Sequence, residues 1–199
     1  MLELNFNPFP TLTTERLVLR RIVDSDAPQC FELRNSDEVM KYIDRPMAHK
    51  LEDAVEWMQK LNDGINNNQL VCWAITLKEN PTLIGTISYH RIIKEHHRAE
   101  IGYMLLPAYW QKGLLTEAAR EVIEYGFREL KLHSIEANVN PLNEASMALL
   151  RKFHFVLEAH FREDYYFNGK FLDSYIFSLL ERRYRNGNVH PGDHGSTIS

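Results

Sequence analysis

The stretch YMLLPAYWQKGLLTEAAREVIEYGF, residues 103–127, decides the fold because its hydrophobic period changes part-way along it. Its first residues close the apolar run AEIGYMLL, which is typical of a strand that ends at Pro107. From Gly113 to Leu130 the apolar residues instead recur at helical spacing, opposite a charged face. The stretch therefore predicts a strand, a short loop and a helix, with the backbone N–H groups of residues 111–116 at the helix N-terminus.

Further strands and helices are predicted on both sides of this stretch. Alternating apolar residues indicate strands, and apolar residues three or four positions apart indicate helices. Asn168-Gly169 lies between two strand-like runs and predicts a tight hairpin turn, because both residues tolerate a positive φ. The predicted elements are a strand near 15–22, a helix through Leu33, a helix from Leu51 to about Gly64, antiparallel strands at VCWAITL, TLIGTISYH and AEIGYMLL, a strand at SIEANVN, a helix capped by Asn143, and a terminal hairpin.

The composition favours one soluble domain. With 199 residues, 44% of them hydrophobic, the chain can bury a sizeable core, and we expect a single domain over residues 1–183 with a polar tail over 184–199. A net charge of −4 gives no field that would hold nucleic acid or an anionic membrane. We expect a cytoplasmic protein, because no apolar run approaches membrane-spanning length and no secretory signal opens the chain. Cys30 and Cys72 lie among apolar neighbours and are expected to be buried thiols.

The predicted loop before the long helix suits a phosphate or pyrophosphate group. Unpaired N–H groups and the positive end of the helix dipole both attract anions. Gly113 lets the backbone approach an anion closely, and Lys112 adds positive charge. The alternative is an ordinary junction between a loop and a helix.

A second junction between a strand and a helix carries a candidate acid. If Asn143 is the N-cap, Ser146 occupies the third helical position, near the unpaired amides of that helix. Its hydroxyl can donate a proton to a departing anion, or it can simply solvate the first turn. Together, the two junctions can grip a cofactor's pyrophosphate and present an acid near its reactive end.

Short motifs also follow one another in a fixed order. They are Thr14–Arg20, Ile84-Gly85, Ala99–Tyr103, Tyr109–Gly113, Thr116–Ala118, Asn143 with Ser146, His154-Phe155, and Asn168-Gly169 with Asp173. In residues, order and spacing this set resembles the GNAT N-acetyltransferases, and among them the branch of ribosomal-protein N-terminal acetyltransferases (RimJ/RimL-like). Three positions depart from the family pattern. Trp110 and Leu115 flank the central loop residues, and His154 stands where many members have glycine, which suggests a different turn there.

The resemblance implies a mixed α/β fold, with a central, mostly antiparallel sheet that is flanked by helices and splayed between its fourth and fifth strands. It implies that acetyl-CoA lies in the opening and that contacts of the last strand can support a homodimer. The cofactor-binding residues it implies are backbone groups of Met104, Leu105 and Leu106 for the pantetheine arm, amides of Gln111, Lys112, Gly113, Leu114, Leu115 and Thr116 for the pyrophosphate, and Asn143.

Acetyl transfer to an amine needs a neutral nucleophile, a polarised carbonyl and a proton for the thiolate. An α-amine has a pKa of about 8, so a modest base or a water chain is sufficient. Glu100 is the predicted base because its strand leads towards the opening; the alternative is a strand glutamate paired with Arg98 or another nearby cation. The resemblance implies that Ser146 protonates the thiolate and that Tyr165 occupies the region where relatives can carry a glutamate.

Three functions remain open from the sequence. The first is N-acetylation of a protein α-amino terminus, and the second is acetylation of a small amine such as a polyamine, an amino acid or an aminoglycoside. The third is a non-catalytic acyl-CoA-binding module, which the departures at Trp110 and Leu115 make conceivable. A metal site at His96-His97 is not expected, because adjacent histidines on a strand point to opposite faces and no cysteine or carboxylate set completes a shell.

Overall fold

The computed structural model describes residues 1–187 as one eight-stranded sheet with helices on both faces. The strand order is β1-β2-β3-β4-β5-β6-β8-β7, and only the β5–β6 pair is parallel. The strands are β1 Leu12–Thr13, β2 Leu17–Arg21, β3 Val71–Leu77, β4 Asn80–Ile93, β5 Arg98–Leu105, β6 Ser134–Val139, β7 Val156–Phe167 and β8 Lys170–Leu180. The helices are α1 Ala27–Asn35, α2 Asp37–Met40, α3 Leu51–Asn66, α4 Leu114–Arg128, α5 Glu144–Lys152 and α6 Glu181–Gly187.

The mixed, mostly antiparallel fold that the resemblance implied is confirmed. Each strand and helix inferred from periodicity is present, and the hairpin turns at Asn168-Gly169 with φ values of 48° and 77°. β1, α2 and α6 were not predicted from the sequence; β1 and α2 have two and four residues and are too short to show a period. Among the described residues, no helix is both long and apolar enough to cross a membrane.

The two groups of helices pack on opposite faces of the sheet. Trp73 is fully buried and meets Tyr125 of α4 edge to face, with ring centroids 5.5 Å apart. On the same face, the Tyr89 hydroxyl donates to the Val122 carbonyl of α4 at 2.9 Å. Cys72, one position from Trp73, faces the other way, and it is buried in the same core as Cys30 of α1. The face of a strand residue therefore tells which helices it meets.

Burial governs both thiols, as the sequence predicted. Cys30 and Cys72 are free and buried, and burial raises the pKa of Cys30 to about 12. Both thiols therefore stay protonated at neutral pH.

The sheet splays open between β5 and β6, which correspond to the fourth and fifth predicted strands. Three register pairs join these strands, from Arg98–Ser134 to Glu100–Glu136. Beyond them β5 continues to Leu105, paired only with β4, while β6 continues to Val139, paired only with β8. The opening therefore starts at Glu100 and exposes one backbone edge of β5.

The end of the described chain is more ordered than its composition suggests. The boundary expected at residue 183 falls inside α6, where Tyr184 is buried and its ring lies 5.4 Å from that of Phe127. One buried aromatic in a polar segment gives no readable period, which is why the sequence did not predict this helix. The rest of the expected tail, from residue 188, lies outside the described residues.

Candidate active site

The exposed edge of β5 presents the backbone groups of alternate residues. The Leu106 N–H donates to the Ile84 carbonyl of β4 at 2.9 Å, and residues along an antiparallel strand alternate in which neighbour they bond. Met104 therefore bonds to β4, whereas Leu105 and Tyr103 direct their N–H and C=O groups into the opening. Of the predicted stretch 104–106, only Leu105 has both backbone groups directed into the opening, and Tyr103 joins it.

Trp110 closes part of this edge. Its indole N–H donates to the Leu105 carbonyl at 2.7 Å, although 41% of the side chain remains exposed. Three backbone groups remain for an extended ligand arm at this end of the opening: the Leu105 N–H and the N–H and C=O of Tyr103. The departure at Trp110 thus has a structural role of its own, since it ties the following loop to the end of β5.

The loop before α4 forms the predicted cluster of unpaired donors. Gln111 and Gly113 have positive φ values of 57° and 74°, and α4 begins directly after Gly113. None of the N–H groups of residues 111–116 donates to another protein group within residues 1–187. Lys112 and both of its neighbours are exposed, so an anion can reach these donors. Six free amides at a helix N-terminus can bind an anion through backbone groups alone.

Ser146 lies on the α4–α5 face of the sheet and is bonded to a residue that the sequence analysis did not select. The Asn143 side chain accepts from the Ser146 N–H at 3.0 Å, which confirms Asn143 as the N-cap of α5. The Ser146 hydroxyl lies 2.7 Å from the Tyr103 hydroxyl. Burial raises the pKa of Tyr103 to about 12, so the pair stays protonated and can supply a proton.

Glu100 lies on the opposite face, where α1 to α3 pack. His90 Nε2 is 3.3 Å from one carboxylate oxygen of Glu100, and Arg91 Nη1 is 4.0 Å from the other. Burial raises the pKa of Glu100, but the His90 hydrogen bond and the neighbouring positive charges outweigh it, so the pKa lies below its ordinary value. The expected alternative partner, Arg98, instead pairs with Glu136.

Tyr165 joins the hairpin to the segment between α2 and α3. Its hydroxyl donates to the Asp44 carbonyl at 3.0 Å and accepts from Arg45 Nη1 at 2.6 Å. The Asp44 carboxylate also accepts from the Asn140 side chain at 3.3 Å, just beyond the end of β6. The positive charge of Arg45 contributes to the lowered pKa of Glu100. These contacts place Tyr165 on the same side of the sheet as Glu100 and away from the Ser146 hydroxyl, which is bonded on the other face.

Comparison with known proteins identifies the family. Residues 16–156 match the acetyltransferase (GNAT) domain. The chain belongs to the GNAT acetyltransferase family. The chain is also 37% identical over 175 residues to the uncharacterized N-acetyltransferase YoaA of Bacillus subtilis, covering 88% of this chain and 99% of that protein. A GNAT-family acetyltransferase from Bacillus anthracis has the same fold, with a TM-score of 0.77, 30% identity, and coverage of 87% of this chain and 99% of that one.

A further solved structure of similar fold contains CoA. The spermidine N-acetyltransferase of Vibrio cholerae has been solved with CoA and spermine; its TM-score is 0.75 at 25% identity, covering 85% of this chain and 98% of that one. Acetyl-CoA is the acetyl donor of the family. The residues present here fit that donor, because a free strand edge for an extended arm leads to a loop of unpaired amides. Within the described part of the chain, no group of three or more His, Cys, Asp or Glu side chains is placed to hold a metal.

Four residues that contact the predicted site residues were not predicted from the sequence. His90 and Tyr103 are strand residues whose partners are set by which strands pair. Asp44 and Arg45 belong to an irregular segment without a period. The alternation of Tyr103 with Glu100 along one strand was the available signal, because residues an odd number of positions apart on a strand face opposite sides.

Proposed function

We propose that this GNAT N-acetyltransferase acts on the α-amino terminus of a protein, by direct attack of the amine on the thioester. One observation carries the proposal: Glu100 and the Ser146–Tyr103 pair lie on opposite faces of the sheet, on either side of the opening. A group that accepts a proton therefore faces one side of the reaction, and a group that donates one faces the other.

Each residue then has a task in transfer. Acetyl-CoA supplies an activated thioester carbonyl. The Leu105 or Tyr103 N–H, directed into the opening, donates to the carbonyl oxygen as negative charge develops on it. Glu100 takes the proton that the amine loses, directly or through water, and the Ser146 hydroxyl gives a proton to the departing sulfur. The Tyr103 hydroxyl lies 2.7 Å from the Ser146 hydroxyl and is hydrogen-bonded to it.

The strength of the base favours an α-amine. A carboxylate whose pKa is held low is a weak base, so it works best on an amine that is already partly neutral. At pH 7 roughly one α-amine in ten is neutral, against about one in 2,500 for an amine with the pKa of lysine. A protein N-terminus therefore suits Glu100 better than a strongly basic primary amine.

The charges on this side of the sheet also favour a protein N-terminus as the acceptor. The Glu100 carboxylate lies beside His90 and Arg91, and Glu136 is paired with Arg98. Asp44 is followed directly in the chain by the positively charged Arg45. A polyamine carries several positive charges and needs an excess of carboxylates to hold them. A balanced surface suits an acceptor with one positive charge followed by a neutral peptide backbone.

A polyamine is the second candidate, favoured by one finding. The relative solved with CoA and spermine is a spermidine N-acetyltransferase and aligns over most of both chains. If the acceptor is a polyamine, His90 and the arginines near Glu100 oppose its second and third positive charges.

An acceptor survey tests the proposal. The purified protein is incubated with acetyl-CoA and either short peptides with varied first residues, spermidine or an aminoglycoside, and release of free CoA is followed. A peptide whose α-amine is already blocked but which carries a lysine is the matched control. We expect turnover of free N-termini, none of the blocked peptide, and weaker turnover of spermidine.

Mass spectrometry locates the acetyl group on the product. Acetyl on the lysine side chain, or turnover of spermidine alone, would overturn the choice of acceptor while leaving acetyl transfer intact. Binding of CoA without turnover of any amine would remove the catalytic roles as well. The expected homodimer stays a prediction that the same preparation can answer by sedimentation.

A further inference from the structure

The first turn of α4 is bonded to a distant segment of the chain. Glu117 Oε1 accepts from the Thr14 hydroxyl at 2.5 Å and from the Arg16 backbone N–H at 2.7 Å, and its Oε2 accepts from Arg16 Nε at 2.7 Å. The carboxylate is largely covered, with a side chain 16% exposed. Two motifs that lie about a hundred residues apart in the sequence thus meet at one side chain.

Arg16 reaches further, into the anion-binding loop itself. Its Nη1 donates to the Lys112 carbonyl at 3.0 Å, while its Nε stays on Glu117. Because a trans peptide is planar, its C=O and N–H point in opposite directions. Fixing the Lys112 carbonyl on Arg16 therefore points the Gly113 N–H away from Arg16, and that N–H has no partner within the described chain.

The loop needs such an external hold. Gln111 and Gly113 both adopt left-handed backbone conformations, and for a residue with a side chain, such as Gln111, this conformation costs about 1 kcal/mol or more. The N–H groups of residues 111–113 donate to no group of the described chain. Their direction is therefore not fixed by hydrogen bonds that they make themselves. Donors that are already directed before a ligand arrives bind it more tightly, because the ordering cost is not incurred on binding.

We propose that Glu117 and Arg16 are positioning residues that orient the Lys112–Gly113 peptide for the CoA pyrophosphate. This role rests on the proposed use of the loop for CoA. The two motifs, at residues 14–16 and at Glu117, shape the proposed CoA site and do not contact the reacting atoms. Glu117 acts through Arg16, and the Thr14 hydroxyl fixes the carboxylate.

The sign of the charge makes the proposal testable. Glu117 is negative and lies one turn from a site for a polyanion, so electrostatics alone predicts that its removal tightens CoA binding. The positioning role predicts the reverse. Burial raises the pKa of Glu117, but the bonds from Thr14 and Arg16 lower it more, so the carboxylate is charged in neutral solution.

The experiment is calorimetric titration of the full-length protein with CoA. For Glu117→Ala we expect the Kd to rise about tenfold, which corresponds to about 1.4 kcal/mol. Arg16→Lys keeps the charge but cannot span Glu117 and the Lys112 carbonyl together, so we expect its Kd to rise also. Arg128→Ala, which breaks an exposed pair with Glu129 at the far end of the same helix, is the matched control and should leave the Kd unchanged.

Hydrogen exchange without ligand provides the second readout. We expect faster exchange at the amides of residues 111–114 in Arg16→Lys and Glu117→Ala. An unchanged or tighter Kd in both variants would overturn the positioning role, even if their melting temperatures fall. Failure of the unaltered protein to bind CoA would overturn the loop's proposed use together with this role. Should Glu117→Ala not fold, Arg16→Lys alone decides.

Discussion

The proposed donor side and the proposed acceptor side of the site are built by different means. The donor side, from β5 through the loop to α4, uses backbone groups: the Leu105 N–H, the Tyr103 edge and six unpaired amides. The acceptor side uses side chains from separate segments, with Tyr165 bonded to Asp44 and Arg45, residues about 120 positions earlier. Backbone donors recognise a feature that every CoA shares, whereas side chains can vary with the amine. A substitution on one side should therefore leave the function of the other side unchanged.

The largest effect is expected at Glu100. Glu100→Gln keeps the size and the hydrogen bond but loses the base, so we expect turnover to fall about 100-fold. The Kd for CoA should stay the same, because Glu100 lies on the acceptor face. Steady-state kinetics with a peptide acceptor, paired with calorimetry, measure the two quantities. Undiminished turnover would show that Glu100 is not the base and that it only pairs with His90.

Ser146 and Tyr103 form the next test, on the face that meets the leaving sulfur. Ser146→Ala should lower turnover about tenfold, a modest loss because a thiolate leaves readily at a pKa of about 8.5. CoA affinity should be nearly intact. If Tyr103 acts only through Ser146, the double variant with Tyr103→Phe will be no slower than Ser146→Ala. Additive losses would show that Tyr103 acts on its own.

Tyr165 tests the acceptor side by itself. Tyr165→Phe loses the hydrogen bonds to Asp44 and Arg45, and we expect the KM for the acceptor to rise about fivefold with CoA affinity unchanged. Tyr166→Phe is the matched control, because the Tyr166 side chain is 63% exposed and its hydroxyl makes no such bonds within the described chain. A rise in the Kd for CoA would show that the two sides are not separate.

The smallest expected effect is a displacement of the pH profile. The hydrogen bond and charge of His90 help to hold the pKa of Glu100 below its ordinary value. His90→Ala removes both, so the pKa of Glu100 rises and the acid limb of kcat/KM moves to higher pH. His90→Gln keeps a hydrogen-bond donor without the charge and should move it less. If the acid limb stays in place in both variants, His90 does not control the pKa of Glu100.

The sequence was most informative where function depends on local backbone. The change of period near Gly113 and the cap at Asn143 are short-range signals, and the structure places both where they were predicted. His154 was expected to change the turn after α5, yet its φ of 65° is the left-handed conformation that glycine would adopt. The presence of histidine instead of glycine therefore did not reveal the backbone conformation at this position.

What the sequence by itself determined is the order of elements and the two strand-to-helix junctions, because hydrophobic period and capping act over a few residues. Only the tertiary structure decided that Glu117 is bonded to Arg16, that Tyr103 meets Ser146, and that Tyr165 bridges to Asp44. These partners lie 43 to 121 residues apart in the chain. Their choice depends on which strands pair and which face each residue takes, and neither leaves a local pattern.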